Sequence, residues 1–140
     1  MNVSKIMTRD VRTCGKTSIL MDCARLMKDL NVGAIPVVDD NGHLAGIITD
    51  RDITIRAVAE GADSKNERVG DFMTPSPFTV EPETSIEEAA EVMGRHQIRR
   101  LPVVENGNLV GIVSFGDLSV KTAEPAMAHV LRDVSMPLSR

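Results

Sequence analysis

The chain contains one sequence pattern twice, and this repeat constrains the fold more than any other feature. Up to the end of the first Pro-Val-Val, each position matches the one 66 residues later. The first copy then has one extra residue, and beyond it the offset is 65. The matched pairs include Met7/Met73, Thr8/Thr74, Pro36/Pro102, Gly46/Gly111 and Asp52/Asp117. A single copy of about 65 residues would bury too small a fraction of its surface to be stable alone. The two copies are therefore expected to share one core.

Each copy is predicted to be an α+β unit with the element order β-α-β-β-α. Apolar residues recur at spacings of three and four over residues 17–30 and 86–97, which predicts an amphipathic helix in each copy. Thr84 or Ser85 is expected to cap the helix of the second copy. Two β-branched runs around Asn-Gly follow each helix and predict a hairpin.

Further elements complete the predicted organisation. A second helix is expected after each hairpin, near residues 50–60 and 115–122, and short strands are expected ahead of the first helices, in segments 8–14 and 74–82. Residues 60–67 are polar and read as a linker. The predicted division of the chain is repeat 1 over 1–66, repeat 2 over 67–123 and a helical tail over 124–140, all in one compact module.

Composition excludes several classes of partner. The net charge of −4 and the pI near 5.3 do not favour a general nucleic-acid or anionic-membrane binder, which needs a basic face. No apolar run suits a signal peptide or approaches the roughly 18–20 residues of a membrane span. The cytoplasm is the expected location, with no DNA or membrane partner.

The nucleophilic and metal-ligating residues are few and scattered. His43, His96 and His129 are not spaced with Cys14 and Cys23 as a catalytic or metal-binding set requires, which predicts no catalysis and no metal site. The two cysteines are expected to be reduced and buried as small hydrophobic residues.

The combination of motifs resembles the tandem CBS domain, often called a Bateman module. The resemblance rests on the duplicated β-α-β-β-α order, the Met-Thr near each start, the Pro-Val-Val strand, the Asn-Gly turn and the pattern Gly-x-x-[Thr/Ser]-x-x-Asp, and it extends from Ile6 to about Val120. The chain looks like a stand-alone CBS pair. The resemblance implies repeats packed as an intramolecular pseudo-two-fold pair, with two ligand clefts between them. It also implies AMP, ADP, ATP or S-adenosylmethionine as regulatory ligands, no required cofactor, and pairing of modules into a homodimer.

The Thr/Ser-x-x-Asp motifs, "TDRD" at Thr49 and "SFGD" at Ser114, have two interpretations. A hydroxyl followed three residues later by an acid is close to a helix capping box, which needs no ligand. In the family, the matching hydroxyl meets a phosphate or similar anion, and the matching carboxylate, here Asp52 or Asp117, accepts hydrogen bonds from ribose hydroxyls. The shorter Asp in place of the preferred Glu or Gln favours the ligand interpretation.

The copies differ before the Pro-Val-Val strand, where Arg99 and Arg100 replace Gly33 and Ala34. Successive strand residues point to opposite faces, so one of the two arginines is expected to enter a given cleft. A solvated basic patch is the alternative. The resemblance groups the candidate site residues into two sets. Cleft A comprises Thr49, Asp52, Thr79, Val80, Arg99 and Arg100, and cleft B comprises Thr13, Cys14, Gly33, Ala34, Ser114 and Asp117.

The predicted function is a regulatory module that senses adenosyl compounds and signals by conformational change to an unidentified protein partner. Cleft A, with the arginines, is expected to prefer phosphorylated ligands. The alternative is an interaction or redox-responsive adaptor with vestigial clefts, in which Cys14 and Cys23 respond to oxidation or bind metal.

Overall fold

The structure, a computed structural model, describes residues 1–121. The helix predicted for the 124–140 tail lies outside the described residues. Within residues 1–121, no helix combines the length and the apolar character that crossing a membrane requires.

The predicted β-α-β-β-α order is confirmed in both copies. The strands are β1 (Cys14–Gly15), β2 (Ala34–Val38), β3 (Leu44–Thr49), β4 (Thr74–Pro75), β5 (Arg100–Glu105) and β6 (Asn108–Ser114). The helices are α1 (Leu20–Leu30), α2 (Asp50–Asp52), α3 (Ile86–His96) and α4 (Phe115–Lys121), and α2 continues directly as a π-helix over Ile53–Val58. Single 3-10 turns occupy Val3–Lys5 and Val69–Asp71.

The strands of each copy follow the same order across a sheet. In one sheet the order is β1-β2-β3-β4, with β1 parallel to β2 and the other pairs antiparallel. The hairpin β5-β6 is flanked by two single-residue bridges, Val80 parallel to Val103 and Thr8 antiparallel to Ile112. Val80 and Thr8 thus take the places that β1 and β4 occupy in the first sheet.

The chain forms two compact units that exchange short segments. The central unit is Arg12–Pro77, and the terminal unit combines Met1–Val11 with the described residues from Phe78 to Lys121. The Met-Thr segment at the start of the first copy therefore packs with the body of the second copy. The equivalent segment around Met73 packs with the body of the first.

Each unit has its own hydrophobic core, which differs from the expected single shared core. In the central unit, buried residues from β1, α1, β2, β3, the π-helix and the exchanged segment form one cluster: Cys14, Leu20, Cys23, Met27, Ile35, Val37, Ile48, Ala57, Val69 and Met73. In the terminal unit the matching cluster is Val3, Met7, Val80, Ile86, Ala89, Ala90, Met93, Leu101, Val103, Val113 and Leu118. The copies depend on each other through the exchanged segments, because Val3 and Met7 complete one core while Val69 and Met73 complete the other.

The first helix begins three residues later than its periodicity predicts. Ile19 is extended and lies in an antiparallel bridge with Arg68, so residues 17–19 are held out of the helix. The Leu20 amide donates to the Glu67 carbonyl at 2.9 Å, which replaces a side-chain cap. In the second copy Ser85 caps α3 as expected, accepting a hydrogen bond from the Glu88 amide at 3.0 Å.

Both predicted hairpins are confirmed, with turns of different length. In the second copy Asn106 and Gly107 have φ values of 53° and 82°, the conformation of a two-residue type I′ turn. In the first copy the extra residue lengthens the loop, and there Gly42 alone of the Asn-Gly pair has a positive φ, 81°.

We expect Gly46→Ala to destabilise the protein by about 1–3 kcal/mol through overpacking. A Cβ at Gly46 would lie 2.7 Å from both the Met73 Sδ and the backbone oxygen of Thr74, so the exchanged segment would have to move. Gly116→Ala is the matched control, because its Cβ would meet nothing closer than the Ser114 Oγ at 3.6 Å. Urea denaturation measures both; an unchanged midpoint for Gly46→Ala would contradict the close packing.

Candidate functional site

A capping box closes each junction between the hairpin and the following helix. The Thr49 amide donates to Asp52 Oδ2 at 3.0 Å, and the Asp52 amide donates to Thr49 Oγ1 at 3.1 Å. The Ser114 amide donates to Asp117 Oδ2 at 2.9 Å, and the Asp117 amide donates to Ser114 Oγ at 3.1 Å. The shorter Asp therefore does form the box, contrary to the expectation that its length disfavours one.

The boxes do not exhaust the hydrogen-bonding capacity of these side chains. Each aspartate uses Oδ2 in its box, and a carboxylate has two acceptor oxygens, so Oδ1 stays available. Each hydroxyl accepts one hydrogen bond and still has a proton to donate. The Thr49–Asp52 and Ser114–Asp117 pairs are half-buried, and the box fixes each side chain in one orientation.

The two arginines have different neighbours at the start of β5. The Arg99 guanidinium lies 4.9 Å above the centre of the Phe115 ring, and its backbone oxygen accepts a hydrogen bond from the Phe115 amide at 2.7 Å. Arg100 is directly opposite Ser114 in the antiparallel register. Directly opposed side chains share a face, so Arg100 and the Ser114 hydroxyl face the same side.

The central unit has a different chemistry at the matching positions. Ala34 is opposite Thr49, and the Gly33 oxygen accepts from the Asp50 amide at 2.9 Å. A Cβ on Gly33 would lie 3.0 Å from Asp50 Oδ2, so the Asp50 carboxylate occupies the space beside the glycine. This junction carries carboxylates and no arginine at these positions.

The remaining site residues lie at the strand that precedes the first helix of each copy. Thr13 is exposed ahead of Cys14, which is parallel to Val37 of β2. Thr79 is exposed ahead of the buried Val80, whose amide donates to the Pro102 oxygen at 3.1 Å. The structure thus places these residues on the sheet of their own unit, at the strand next to the one that carries the pre-Pro positions.

Each unit holds six of the predicted site residues. The central unit has Thr13, Cys14, Gly33, Ala34, Thr49 and Asp52, and the terminal unit has Thr79, Val80, Arg99, Arg100, Ser114 and Asp117. Sequence reasoning missed two neighbours, Asp50 beside Gly33 and Phe115 beneath Arg99. The sequence contained a signal for these contacts, because Gly33 and Asp50 are both replaced at the matched positions of the second copy, by Arg99 and Phe115.

In residues 1–121, no cluster of three or more His, Cys, Asp or Glu side chains is arranged to hold a metal ion.

Comparison with known proteins identifies the family. The CBS domain family matches the chain twice, over residues 3–58 and 69–121. The chain therefore belongs to the CBS-domain family, and its α+β fold with two CBS repeats matches CBS-pair structures.

Two relatives from Bacillus subtilis (strain 168) are similar over most of their length. The CBS domain-containing protein YhcV is 45% identical over 119 residues, which cover 85% of this chain and 84% of YhcV. The uncharacterized protein YlbB is 42% identical over 136 residues, covering 95% of this chain and 90% of YlbB.

Three solved structures are similar in fold and sequence. Hypoxic Response Protein I, solved with two coordinated zinc ions, has a TM-score of 0.81 and 34% identity, covering 87% of this chain and 99% of that one. CBSX2 in complex with AMP has a TM-score of 0.75 and 31% identity, covering 86% and 94%. The CBS domain pair of protein MJ0100, in complex with 5-methylthioadenosine and S-adenosyl-L-methionine, has a TM-score of 0.78 and 28% identity, again covering 86% and 94%.

Proposed function

We propose that this protein is a regulatory module that binds an adenosyl compound and signals the bound state to a protein partner by conformational change. The observation that carries the proposal is the capping box at each Thr/Ser–Asp junction. In each box, one carboxylate oxygen can still accept a hydrogen bond and the hydroxyl can still donate one. A ribose presents two adjacent hydroxyls, which a fixed carboxylate oxygen can accept. The AMP and S-adenosyl-L-methionine complexes of similar CBS structures support this ligand class.

The proposed grouping of residues follows the family resemblance. Cleft A combines the Thr49–Asp52 junction with Thr79, Val80 and the arginines, and cleft B combines the Ser114–Asp117 junction with Thr13, Cys14, Gly33 and Ala34. The boxes orient the aspartates toward the ribose before any ligand arrives, so little side-chain ordering is needed on binding.

Arg100 is the proposed phosphate partner. Arg99 is engaged over the Phe115 ring, whereas Arg100 lies opposite Ser114 in the register of the hairpin. A guanidinium offers several N–H donors in a planar fork that matches phosphate oxygens. Ala34, at the matching position of the central unit, offers none, so we propose that the two clefts differ in their preference for phosphorylated ligands.

Binding should be visible as a gain in stability. A ligand at 100 times its dissociation constant stabilises the folded state by about 2.7 kcal/mol, because it binds that state and not the unfolded chain. Thermal unfolding with AMP, ADP, ATP, NAD, S-adenosylmethionine and adenosine should therefore show a raised midpoint for at least one adenosyl compound. Midpoints that stay constant across millimolar concentrations of all six would overturn the proposed function.

Removing the arginine should separate phosphate from nucleoside recognition. A charge-assisted hydrogen bond contributes about 1.5–3 kcal/mol, so Arg100→Ala should weaken AMP by roughly ten- to a hundredfold and leave adenosine nearly unchanged. Arg95→Ala is the control, because it removes an equal charge from an exposed position of α3. Calorimetric titration of both variants with AMP and adenosine measures the effect.

The aspartate variants in the same titration test the grouping of residues. Asp52→Asn keeps an acceptor for the Thr49 amide and removes the charge, so it should weaken AMP and adenosine equally while the box is retained. Asp117→Asn should leave the tight AMP site nearly intact. Loss of that site in Asp117→Asn but not in Asp52→Asn would reassign Arg100 to the junction that it faces within its own hairpin.

We also propose that two copies pair as a homodimer through the π-helix over Ile53–Val58. The Ala- and Met-rich stripes of α1 and α3 lie largely inside the unit cores, where Met27, Ala90 and Met93 are buried. Ile55 and Val58, three residues apart on the π-helix, are instead 48% and 63% exposed. Their apolar area favours this helix as the pairing surface.

Light scattering at micromolar concentrations should give twice the chain mass of 15.2 kDa. Ile55→Lys should shift the protein toward the monomer, since a lysine in the contact must be desolvated without a partner. Thr54→Lys adds the same charge at the neighbouring exposed position and should keep the dimer. A wild-type protein of monomer mass would contradict pairing, and an Ile55→Lys dimer would exclude this surface.

A further inference from the structure

The central unit contains two cysteine thiols in direct contact. Cys14 lies on β1 and Cys23 on α1, both are buried, and both belong to the core cluster of that unit. Their side chains are hydrogen-bonded to each other. The two positions lie nine apart in the sequence, one on a strand and the other on a helix, so their contact depends on how β1 and α1 pack.

The packing of the core does not require thiols at these positions. The matched positions in the terminal unit are Val80 and Ala89, which are buried in the equivalent cluster at the same two elements. The same fold therefore accommodates an aliphatic pair where the central unit has two sulfurs. The repeat itself supplies a matched pair of substitutions, Cys14→Val and Cys23→Ala.

The two thiols are not equivalent. The hydrogen bond from Cys23 holds the pKa of the Cys14 thiol below its ordinary value, against the opposing effects of burial and of Asp22. The same hydrogen bond and burial raise the pKa of Cys23. Cys14 is 8% exposed and Cys23 is fully buried, so Cys14 is the sulfur that a small oxidant reaches first.

We propose that Cys14 and Cys23 form a reversible dithiol–disulfide pair that responds to peroxide. The Cys14 thiolate attacks one peroxide oxygen, the O–O bond breaks, and Cys14 becomes a sulfenic acid as hydroxide leaves and is protonated to water. The Cys23 sulfur then attacks the Cys14 sulfur, the S–O bond breaks, and a second water leaves. In total, two thiols lose two protons and two electrons, and one peroxide becomes two waters. A small-molecule thiol reverses the reaction by exchange.

Closing the disulfide would act on the predicted cleft B. The sulfurs must move from hydrogen-bond contact to a bond of about 2 Å, which draws β1 toward α1. The two-residue strand β1 carries Cys14 directly after Thr13, and both are proposed cleft B residues. This second step rests on the proposed function, whereas formation of the disulfide does not.

The chemistry is tested on the full chain by mass spectrometry and thiol counting during titration with hydrogen peroxide. We expect wild-type protein to lose both thiols and the mass of two hydrogen atoms, to stay free of intermolecular disulfides on a non-reducing gel, and to recover both thiols with dithiothreitol. Cys23→Ala should instead accumulate a sulfenic acid on Cys14 that a cyclic diketone probe captures. Cys14→Val should lose its remaining thiol at least about tenfold more slowly.

Wild-type protein that gains oxygen atoms and never loses the two hydrogens would overturn the disulfide. Equal oxidation rates for Cys14→Val and Cys23→Ala would overturn the role of Cys14 as the attacking thiolate. Thermal unfolding shows that each variant is folded. The double variant Cys14→Val/Cys23→Ala must not lose two hydrogen atoms under the same peroxide, and any oxygen gained by the methionine side chains is common to this variant and the wild type.

The coupling is tested by comparing AMP and S-adenosylmethionine titrations of reduced and oxidised protein. We expect the disulfide to change affinity at one site by severalfold or more, and the double variant to give the same titration before and after peroxide. Identical curves for reduced and oxidised wild-type protein would overturn the coupling. The absence of binding in the reduced protein would instead overturn the proposed function, and the mass measurement would still report on the disulfide.

Discussion

The exchange of two short segments is the constraint on which the rest of the structure depends. Segments 1–11 and 67–77 are related by the repeat, and each completes the unit built around the other copy. The Val3 amide donates to the Thr84 oxygen, and at the matched positions of the repeat the Val69 amide donates to the Ser18 oxygen, both at 2.9 Å. The two segments therefore make equivalent hydrogen bonds. Each segment supplies a sheet neighbour, two buried side chains and a partner for the first amide of a helix. Neither copy can complete its core without the other.

Glycine makes this exchange possible at the sheet. Gly46 and Gly111 lie where Met73 and Met7 cross the hairpin strands, and a Cβ at either glycine would meet a methionine sulfur at 2.7 Å or closer. The methionine side chain fills the space that a larger residue would take, which suits its flexible, unbranched shape. The methionine of the Met-Thr motif therefore packs against the glycine of the Gly-Ile motif in each unit.

At two contacts of the fold, both members of the contact differ between the copies. Gly33 with Asp50 becomes Arg99 with Phe115, and Cys14 with Cys23 becomes Val80 with Ala89. In each case both partners of a contact have changed while the backbone arrangement is kept. A duplicated fold can thus carry different chemistry at equivalent places, with arginines at one junction, an extra carboxylate at the other, and a thiol pair in one core.

The repeat, the period of the apolar residues and the turn chemistry determined the element order, both hairpins and most helix bounds, because these depend on local spacing. The Thr/Ser–Asp motifs also placed the two junctions. The other features depend on contacts between distant parts of the chain, so only the tertiary structure decided them. It held residues 17–19 out of α1 through the bridge from Ile19 to Arg68, and it gave each unit its own core by exchanging segments. It also placed Arg99 over Phe115 and Cys14 beside Cys23. Contacts between distant positions depend on sheet register and helix packing, which local sequence does not specify.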